Sequence, residues 1–536
     1  MGAAILPGSE AAGVFGVPHP DAGEEAWTPE RGVLRALKIP PLALLVTVLA
    51  LAAGELACGT QLYFVTMMAV ALLSIGITYN MLGGLSRIGG VMFAALAAQR
   101  IVISQFAKVI LHEPADHNLE VPYLTITVYA VFFLSAMVGV FLFGNLRPRL
   151  PRPWEPRAGP ETRLLYFVSL IGGVIASVIF WIDQFGNIEQ TDSLSNGFAL
   201  VFQSLLLFSI VLAIDDRIQT TEGRHSLGVW AVVSCLAAEF FAYLQTSRMG
   251  EATPVVTYFL SCYVRGYRLR KKHYVAGILF AILLQTVFSP VDLYMRGFMY
   301  GLSFRERITR GYEFLQSPPT WAAIQYAQLE AQTQTSSDEY YSAPGTFVLS
   351  RLSLIRADSV LIAACSNGFR YGFQPLKMDL LREIPRIFYR NKPELGAELY
   401  IESLVGVGGS GDTAVHWAFT SVSDAFGALG WLGVVLFPLF VLPALFVVYD
   451  TMFDMTRPWG TVALAGAALS IAGAQISQTL MLMIKEPIYF WVLSVLTVGI
   501  GRFLVGSGEH TLPSRSLRNR NNSDALHTRP QGATTQ

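Results

Sequence analysis

Long apolar runs separated by polar turns dominate the chain between residues 39 and 505. A membrane-spanning helix needs roughly 20 consecutive residues that are mostly apolar. The pattern therefore predicts twelve spans, at residues 39–58, 61–80, 88–111, 122–145, 164–182, 197–214, 227–246, 253–268, 274–292, 426–449, 459–483 and 488–505.

One long polar segment interrupts this series between the ninth and the tenth span. Residues 293–425 contain 12 basic and 13 acidic side chains together with aromatic residues. Loops of this length in compact proteins usually carry function. We expect a small helical domain here, with helices near residues 296–315, 318–334, 346–366 and 375–390.

Composition narrows the class of protein. Of 536 residues, 53% are hydrophobic and only 14% are charged, with 38 basic and 38 acidic side chains, whereas about a quarter of an average soluble protein is charged. These values exclude a soluble globular enzyme, and a nucleic-acid binder would need a basic excess. The predicted fold class is an all-α integral membrane protein, with about 12 transmembrane helices and one large helical extracytoplasmic loop domain.

The basic residues predict the orientation of this bundle. With the N-terminus in the cytoplasm, the cytoplasmic segments hold 22 Lys and Arg, while the short outer loops hold two, Arg248 and Lys485. Such a bias marks the cytoplasmic side, so both termini are predicted to be cytoplasmic. The resulting organisation is a disordered cytoplasmic tail (1–38), a membrane bundle of about nine helices (39–292), a large periplasmic loop domain (293–425), a second bundle of about three helices (426–505) and a disordered basic cytoplasmic tail (506–536).

Several polar side chains lie inside predicted spans, where an uncompensated charge costs several kcal/mol. They fall in the half of the membrane that adjoins the long segment, and four of them recur at i+4 on one helix face. Snorkelling and hydrogen bonding between helices account for Glu55 and His112. For Arg100 and Glu239 two interpretations stay open, a functional cavity or structural pairing between these two residues. The residues concerned are Arg100, Ser104, Lys108 and His112 on the shared face, with Glu55, Glu239, Gln475 and Gln478 on other spans.

The long segment carries its own candidate anion site. Arg382, Arg386 and Arg390 are spaced four residues apart, and Lys392 follows them. The planar guanidinium fork suits phosphate oxygens, so this pattern fits a diphosphate. The alternative is a solvated helix face whose cations pair with neighbouring acids, and Pro385 bends or ends the helix in either case.

A second charged group in the segment consists of Arg351, Arg356 and Asp358 on an otherwise apolar stretch. Metal chemistry is not supported, because His416 is the only histidine of the segment and no Asp-x-Asp pair occurs in the chain. The glycine run before Asp412 lacks the phosphate-loop pattern. We therefore expect no cofactor, and any reaction here is predicted to be metal-independent.

Two short sequences stand out in the long segment, Ile-Pro-Arg at 384–386 and Asn-Lys-Pro at 391–393, and at 423–433 an acidic residue precedes a predicted helix start with spaced glycines. Together they resemble the bacterial O-antigen and exopolysaccharide repeat-unit polymerases. Residues 80–90 and 113–116 are similar to members of that group as well. The layout of spans with one late outer loop also fits.

The resemblance implies a glycosyltransferase of the bacterial inner membrane that works on its periplasmic face. It would transfer a growing glycan from undecaprenyl diphosphate to a new lipid-linked repeat unit, with the bilayer, a chain-length regulator and other glycan-assembly proteins as partners and no nucleic acid. The carboxylates available as general base are Asp424, which we favour, Asp358 and Glu239. The cations available for the diphosphate are Arg382, Arg386, Arg390, Lys392, Arg351, Arg356, Lys108 and Arg100.

Two other functions stay open from the sequence. An O-antigen ligase would have a similar loop but would transfer finished glycan to a lipid core. A non-enzymatic transporter or flippase of lipid-linked glycan is the second alternative. Transporters of this size commonly show two related halves, and we find no such internal symmetry in the sequence.

Overall fold

A computed structural model describes residues 38–156, 160–186, 194–244, 248–283, 291, 304–317, 320, 354–384, 389, 396–406 and 419–509. The regular structure of these residues is helical throughout (79% helix) and includes no strand. The all-helical class predicted from the sequence is therefore confirmed for the part of the chain that is described.

The helices are numbered here in chain order. They are α1 (Pro41–Ala57), α2 (Leu62–Met81), α3 (Ile88–Leu111), α4 (Pro122–Phe143), α5 (Pro160–Gly186), α6 (Leu194–Thr220), α7 (Val229–Leu244), α8 (Arg248–Val264), α9 (Lys271–Leu283), α10 (Phe304–Gln316), α11 (Ile355–Ser366), α12 (Gln374–Glu383), α13 (Ala397–Val405), α14 (Ser421–Leu429), α15 (Trp431–Met452), α16 (Pro458–Ala472) and α17 (Ile476–Glu509).

Six of these helices are long and apolar enough to cross a membrane, namely α2, α3, α4, α15 and the apolar parts of α5 and α17. Three further apolar helices, α1, α7 and α16, are shorter. All nine coincide, fully or in large part, with predicted spans. The total of twelve spans stays a prediction.

Two hydrophobic cores hold the helices together. The larger one joins α2, α3 and α4 to α15 and α16 and contains an aromatic group around Phe133. The smaller one lies between α6, α7 and α8. Gly139 on α4 packs against the backbone at Leu439 on α15 and leaves no space for a Cβ, because small residues let membrane helices approach closely.

The last helices break at a different place from the one that the sequence predicts. Charged residues and a proline at 485–487 predict a turn there, between spans at 459–483 and 488–505. In the structure α16 ends at Ala472, and α17 runs from Ile476 straight through Pro487. The bounds predicted for spans eleven and twelve are therefore wrong, and Lys485 lies within a helix rather than in an outer turn.

The helix breaks at 473–475 and not at 485–487 because the backbone groups that a break leaves unpaired find hydrogen-bond partners at the first position. Away from water, unpaired N–H and C=O groups cost several kcal/mol each. A proline inside a helix removes only one hydrogen bond, which α17 tolerates at Pro487. The turn at 473–475 frees more groups, and side chains of two other elements satisfy them there, as the next subsection describes.

The long segment contributes several helices where it is described. Three of them, α10, α11 and α12, overlap the predicted ranges 296–315, 346–366 and 375–390, whereas 318–334 falls almost entirely outside the described residues. Helix α12 ends at Glu383, and Ile384 is extended with ψ 127°, as the residue before a proline prefers. The helix thus ends before Pro385, and of the predicted row of cations at 382, 386 and 390 only Arg382 lies on α12.

Helix α11 is attached directly to the apolar bundle. The Ser359 hydroxyl accepts hydrogen bonds from the N–H groups of Glu120 (2.9 Å) and Val121 (3.3 Å) at the start of α4. The N–H of Leu354 donates to the carbonyl of Gln99 (3.3 Å), which belongs to a π-turn at Ala98–Val102 within α3. The described part of the long segment is therefore packed onto the helix bundle.

The orientation can be tested by cysteine labelling in intact cells. Cys365 is only 1% exposed, so an exposed neighbour is the better position. We expect Asn367→Cys, in a background without native cysteines, to react with a membrane-impermeant maleimide added outside. The matched position Arg149→Cys, exposed on the predicted cytoplasmic side, should react only after the membrane is permeabilised. The reverse pattern would invert the predicted topology.

Candidate functional site

A group of buried polar side chains lies where α11 and α14 meet the helix bundle. It joins the long segment to α3, α4 and the turn between α16 and α17. We call this group the loop–bundle cluster. Its members are Arg100, Tyr129, Asp358, Tyr371, Thr420, Ser421, Ser423 and Asp424.

Asp358 occupies the centre of the loop–bundle cluster and is completely buried. Its Oδ1 accepts from the Thr420 N–H (2.8 Å) and the Ser423 hydroxyl (2.5 Å). Its Oδ2 accepts from the hydroxyls of Thr420 (2.6 Å) and Tyr129 (2.5 Å). Four donors thus saturate this carboxylate, and they connect α11 to both α4 and α14.

Arg100 lies on the opposite side of the cluster and is also completely buried. Its guanidinium donates to the carbonyls of Ile471 (3.3 Å), Ala472 (3.2 Å) and Ala474 (3.0 Å). Because α16 ends there, these oxygens lack the N–H donors that a continuing helix would supply. A fourth bond reaches the Ser421 hydroxyl (2.8 Å) on α14. Arg100 therefore caps the C-terminal end of α16, where the helix dipole favours a cation.

The contact with Arg100 lies near the middle of α3. Arg100 is the thirteenth residue of α3, so it lies about 18 Å along the helix at 1.5 Å per residue. Irregular backbone at such a position is tolerated only when protein groups satisfy it. The turn at 473–475 and the start of α14 meet this condition, since the Ser421 N–H donates to the Ala474 carbonyl (2.9 Å).

Asp424 completes the other side of the helix break. Its Oδ2 accepts from the N–H of Ile476 (2.8 Å), the first residue of α17, and its Oδ1 accepts from the Tyr371 hydroxyl (2.7 Å). The Gln478 side chain accepts from the Gln475 N–H (3.1 Å), which is one half of a capping box. Acidic groups are favourable at a helix N-terminus, so α17 starts where Asp424 holds it.

The electrostatic state of Asp424 differs from that of an ordinary surface acid. Burial raises the pKa of its carboxyl to about 6, although the hydrogen bonds from Tyr371 and Ile476 lower it. Each carboxylate oxygen accepts one donor and retains lone-pair capacity. Asp424 is 4% exposed, against 0% for Asp358. Asp358 accepts two hydrogen bonds on each oxygen, so of the two carboxylates in the cluster Asp424 is the one with acceptor capacity left.

Tyr371 reaches Asp424 because a glycine on α14 leaves room for its ring. A Cβ at Gly427 would overlap the ring of Tyr371. The Tyr371 N–H also donates to the Gly427 carbonyl (3.2 Å). Next to it, the Arg370 guanidinium lies 4.6 Å from the centroid of the Phe426 ring. The segment between α11 and α12 therefore runs along α14.

Other predicted site residues are paired elsewhere. Lys108 is completely buried and forms an ion pair with Glu113 (2.8 Å). Arg356 forms one with Glu120 (2.8 Å). Glu239 lies on α7 and makes no hydrogen bond to the loop–bundle cluster among the described residues.

The shared face predicted on α3 is confirmed in part. Arg100, Ser104 and Lys108 are all completely buried, whereas His112 is exposed and ends the helix in a left-handed conformation with φ 57°. The hydrogen bonds of Arg100 go to other elements and not to Glu239. Structural pairing between these two residues, one of the open interpretations, is therefore wrong.

The predicted cation row is only partly described. Arg382 lies in the last turn of α12 and contacts Gly396 before α13. Arg351, Arg386, Arg390 and Lys392 fall outside the described residues. In the described ranges no three His, Cys, Asp or Glu side chains are grouped to bind a metal ion.

Sequence reasoning missed most donors of the cluster. In the sequence, Tyr129 is one of several aromatic residues in an apolar predicted span. Its hydrogen-bond partner, Asp358, lies 229 residues further along the chain. A usable signal was present in the Thr-Ser-Val-Ser run at 420–423 directly before Asp424. Three hydroxyl side chains next to an acid at a helix start favour capping and buried hydrogen bonding.

Replacement of Asp358 tests the structural importance of the cluster. We expect Asp358→Ala to destabilise the protein by about 3–5 kcal/mol, because it leaves four buried donors and the charge of Arg100 without compensation. The measurement is the thermal unfolding midpoint of the purified protein in detergent. Asp216→Ala, which breaks the more exposed ion pair with Arg163, should cost about 1 kcal/mol or less. Equal effects of the two substitutions would contradict the central position of Asp358.

Comparison of the chain with protein-family models, with curated proteins and with solved structures found no match. The geometry of the loop–bundle cluster gives Asp358 and Arg100 a positioning role, and burial raises the pKa of the neighbouring Asp424 carboxyl to about 6.

Proposed function

We propose that this protein is a glycosyltransferase of the bacterial inner membrane that extends a lipid-linked glycan on the periplasmic face. The donor is a glycan on undecaprenyl diphosphate, and the acceptor is a sugar hydroxyl of a new lipid-linked repeat unit. One observation supports the proposal most directly. The Asp424 carboxylate, whose pKa burial raises, lies on α14 near the basic residues of the segment that leads into α12 and near exposed apolar side chains.

The apolar surface supports a lipid-linked substrate. Phe369 and Phe373 beside α12 are 47% and 57% exposed, and Leu429, Trp431 and Leu432 continue this surface onto α15. A helix long and apolar enough to cross a membrane begins at Trp431, and tryptophan favours the membrane interface. A polyprenyl chain lying against this surface would place its diphosphate beside the segment between α11 and α12.

The cations of that segment suit a diphosphate. Arg370 lies next to Tyr371 and above the Phe426 ring, Lys377 on α12 is exposed, and Arg382 is one turn further along. Guanidinium and ammonium groups stabilise the negative charge that develops on a departing diphosphate. Arg370 thus joins the candidates that the sequence pattern favoured.

The carboxylate for proton transfer is Asp424. A general base works best when its pKa lies near the operating pH, and burial raises that of Asp424 to about 6. The segment covering it is bounded by Gly368 and Gly372, whose left-handed backbones have open space around them. We infer that this segment moves to admit the acceptor hydroxyl.

The chemical step balances with these groups alone. Asp424 takes the proton of the acceptor hydroxyl. The oxygen of that hydroxyl forms a bond to the anomeric carbon of the donor glycan. The bond between that carbon and the diphosphate oxygen breaks, and undecaprenyl diphosphate leaves with the electron pair. Arg370, Lys377 and Arg382 neutralise the leaving group. Arg100 and Asp358 hold the surrounding backbone in position.

Substitution of Asp424 tests the proposal. We expect Asp424→Asn to lower polymerisation by about 10²–10⁴-fold, the usual contribution of a general base. The measurement is the ladder of chain lengths formed by the purified protein in lipid vesicles with undecaprenyl-diphosphate-linked repeat units. Asp216→Asn is the matched control and should retain activity. Normal chain lengths in Asp424→Asn would rule out this base, and no product from the wild type would rule out the proposed function.

The pH profile gives a second test. Activity should fall as the pH drops through about 6, because the base must be deprotonated and burial raises the pKa of Asp424 to that value. The Tyr371 hydrogen bond lowers this pKa, so Tyr371→Phe should move the acidic limb to higher pH. Tyr312→Phe, at an exposed position on α10, should leave it unchanged. An acidic limb that stays in place in Tyr371→Phe would contradict the assignment.

A further inference from the structure

A cavity lies at the end of the bundle opposite the loop–bundle cluster. It has a volume of about 250 Å³ and opens to the surface where the turns after α2, α4 and α15 meet. The charge distribution predicts all three turns to be cytoplasmic. The lining residues are Ser86, Arg87, Ile88, Arg147, Arg152, Asp450, Phe453, Asp454 and Met455.

Three arginines line this cavity, one from the turn after α2 and two from the turn after α4. Arg147 donates to the carbonyls of Gly144 (3.3 Å) and Leu146 (2.8 Å) at the end of α4, which fixes its guanidinium. Arg87 and Arg152 form no ion pair with any described residue, and both are exposed. Both line the cavity, and the charges of Arg87 and Arg147 act on the neighbouring Asp450 carboxylate.

The two acids of the cavity each accept hydrogen bonds from a neighbouring part of the protein. Asp450 Oδ1 accepts from the Gly89 N–H (2.9 Å) at the start of α3. Asp454 Oδ1 accepts from the N–H (3.0 Å) and hydroxyl (2.7 Å) of Thr456. These bonds engage one oxygen of each carboxylate in fixing the turns, and three guanidinium groups against two carboxylates leave a net positive lining.

We propose that this cavity is a binding site for a phosphate ester, held by Arg87, Arg147 and Arg152. Guanidinium groups bind phosphate oxygens through pairs of parallel charge-assisted hydrogen bonds. The buried apolar side chains of Ile88, Phe453 and Met455 form the rest of the wall, which suits the ester side of such a group. The volume is below the roughly 300–1,000 Å³ of sites for drug-sized ligands, so it fits a single head group.

The phosphate group that binds here can come from two sources, a phospholipid head group of the adjoining leaflet or a free phosphate compound. Arginines next to a membrane helix commonly contact anionic lipids. The site does not depend on the proposed glycosyl transfer, because the cavity and the loop–bundle cluster share no residue.

The test uses the full chain purified in a neutral detergent. Dihexanoyl-phosphatidylglycerol is titrated in one arm and inorganic phosphate in the other, and the thermal unfolding midpoint reports binding. The variants are the double substitution Arg87→Gln with Arg152→Gln, and the matched control Arg149→Gln. Arg149 is exposed in the same turn as Arg147 but does not line the cavity.

We expect the double variant to weaken binding at least tenfold, or about 1.4 kcal/mol, while Arg149→Gln binds as the wild type does. Without ligand all three proteins should unfold at the same temperature, which separates loss of binding from loss of folding. Stabilisation by the lipid alone identifies the head group as the source, and stabilisation by phosphate alone identifies a free compound. The site is overturned if neither ligand stabilises the wild type, or if the double variant and the control lose binding equally.

Discussion

The break between α16 and α17 is the constraint on which the arrangement of the long segment depends. A turn inside a helix bundle exposes carbonyls on one side and N–H groups on the other, and away from water these must be paired. Arg100 binds three of the carbonyls, and Asp424 accepts the first N–H of α17. Because Asp424 belongs to α14, the same hydrogen bond that satisfies the start of α17 holds the end of the long segment against the break.

This dependence gives Asp358 and Arg100 a structural role beside Asp424, the base of the proposed reaction. Asp358 orders the start of α14 through Thr420 and Ser423, and Arg100 binds Ser421 between them. The same contacts fix the position of Asp424 on α14, close in sequence to the apolar surface that includes Trp431. In the proposed reaction, this position would let Asp424 act on a substrate whose lipid portion stays in the membrane.

Much of the helical architecture follows from hydrophobic periodicity alone, because a run of 20 apolar residues has few other solutions in a membrane. Asp424 and its helix start also stand out in the sequence. The position of the break does not, since the proline and charges at 485–487 are the stronger local signal and the partners that favour 473–475 come from residues 100 and 424. Lys108 illustrates the same limit, because its pairing with Glu113 depends on how the chain turns after α3.

The most direct test of this account is amide hydrogen exchange of residues 473–478 in the purified protein. The account predicts slow exchange of the Ile476 amide in the wild type. In Asp424→Ala that amide should exchange about tenfold faster, since about 1.4 kcal/mol of protection is lost with the capping carboxylate. Fast exchange of the Ile476 amide in the wild type, or an unchanged rate in Asp424→Ala, would contradict the claim that the long segment holds the break.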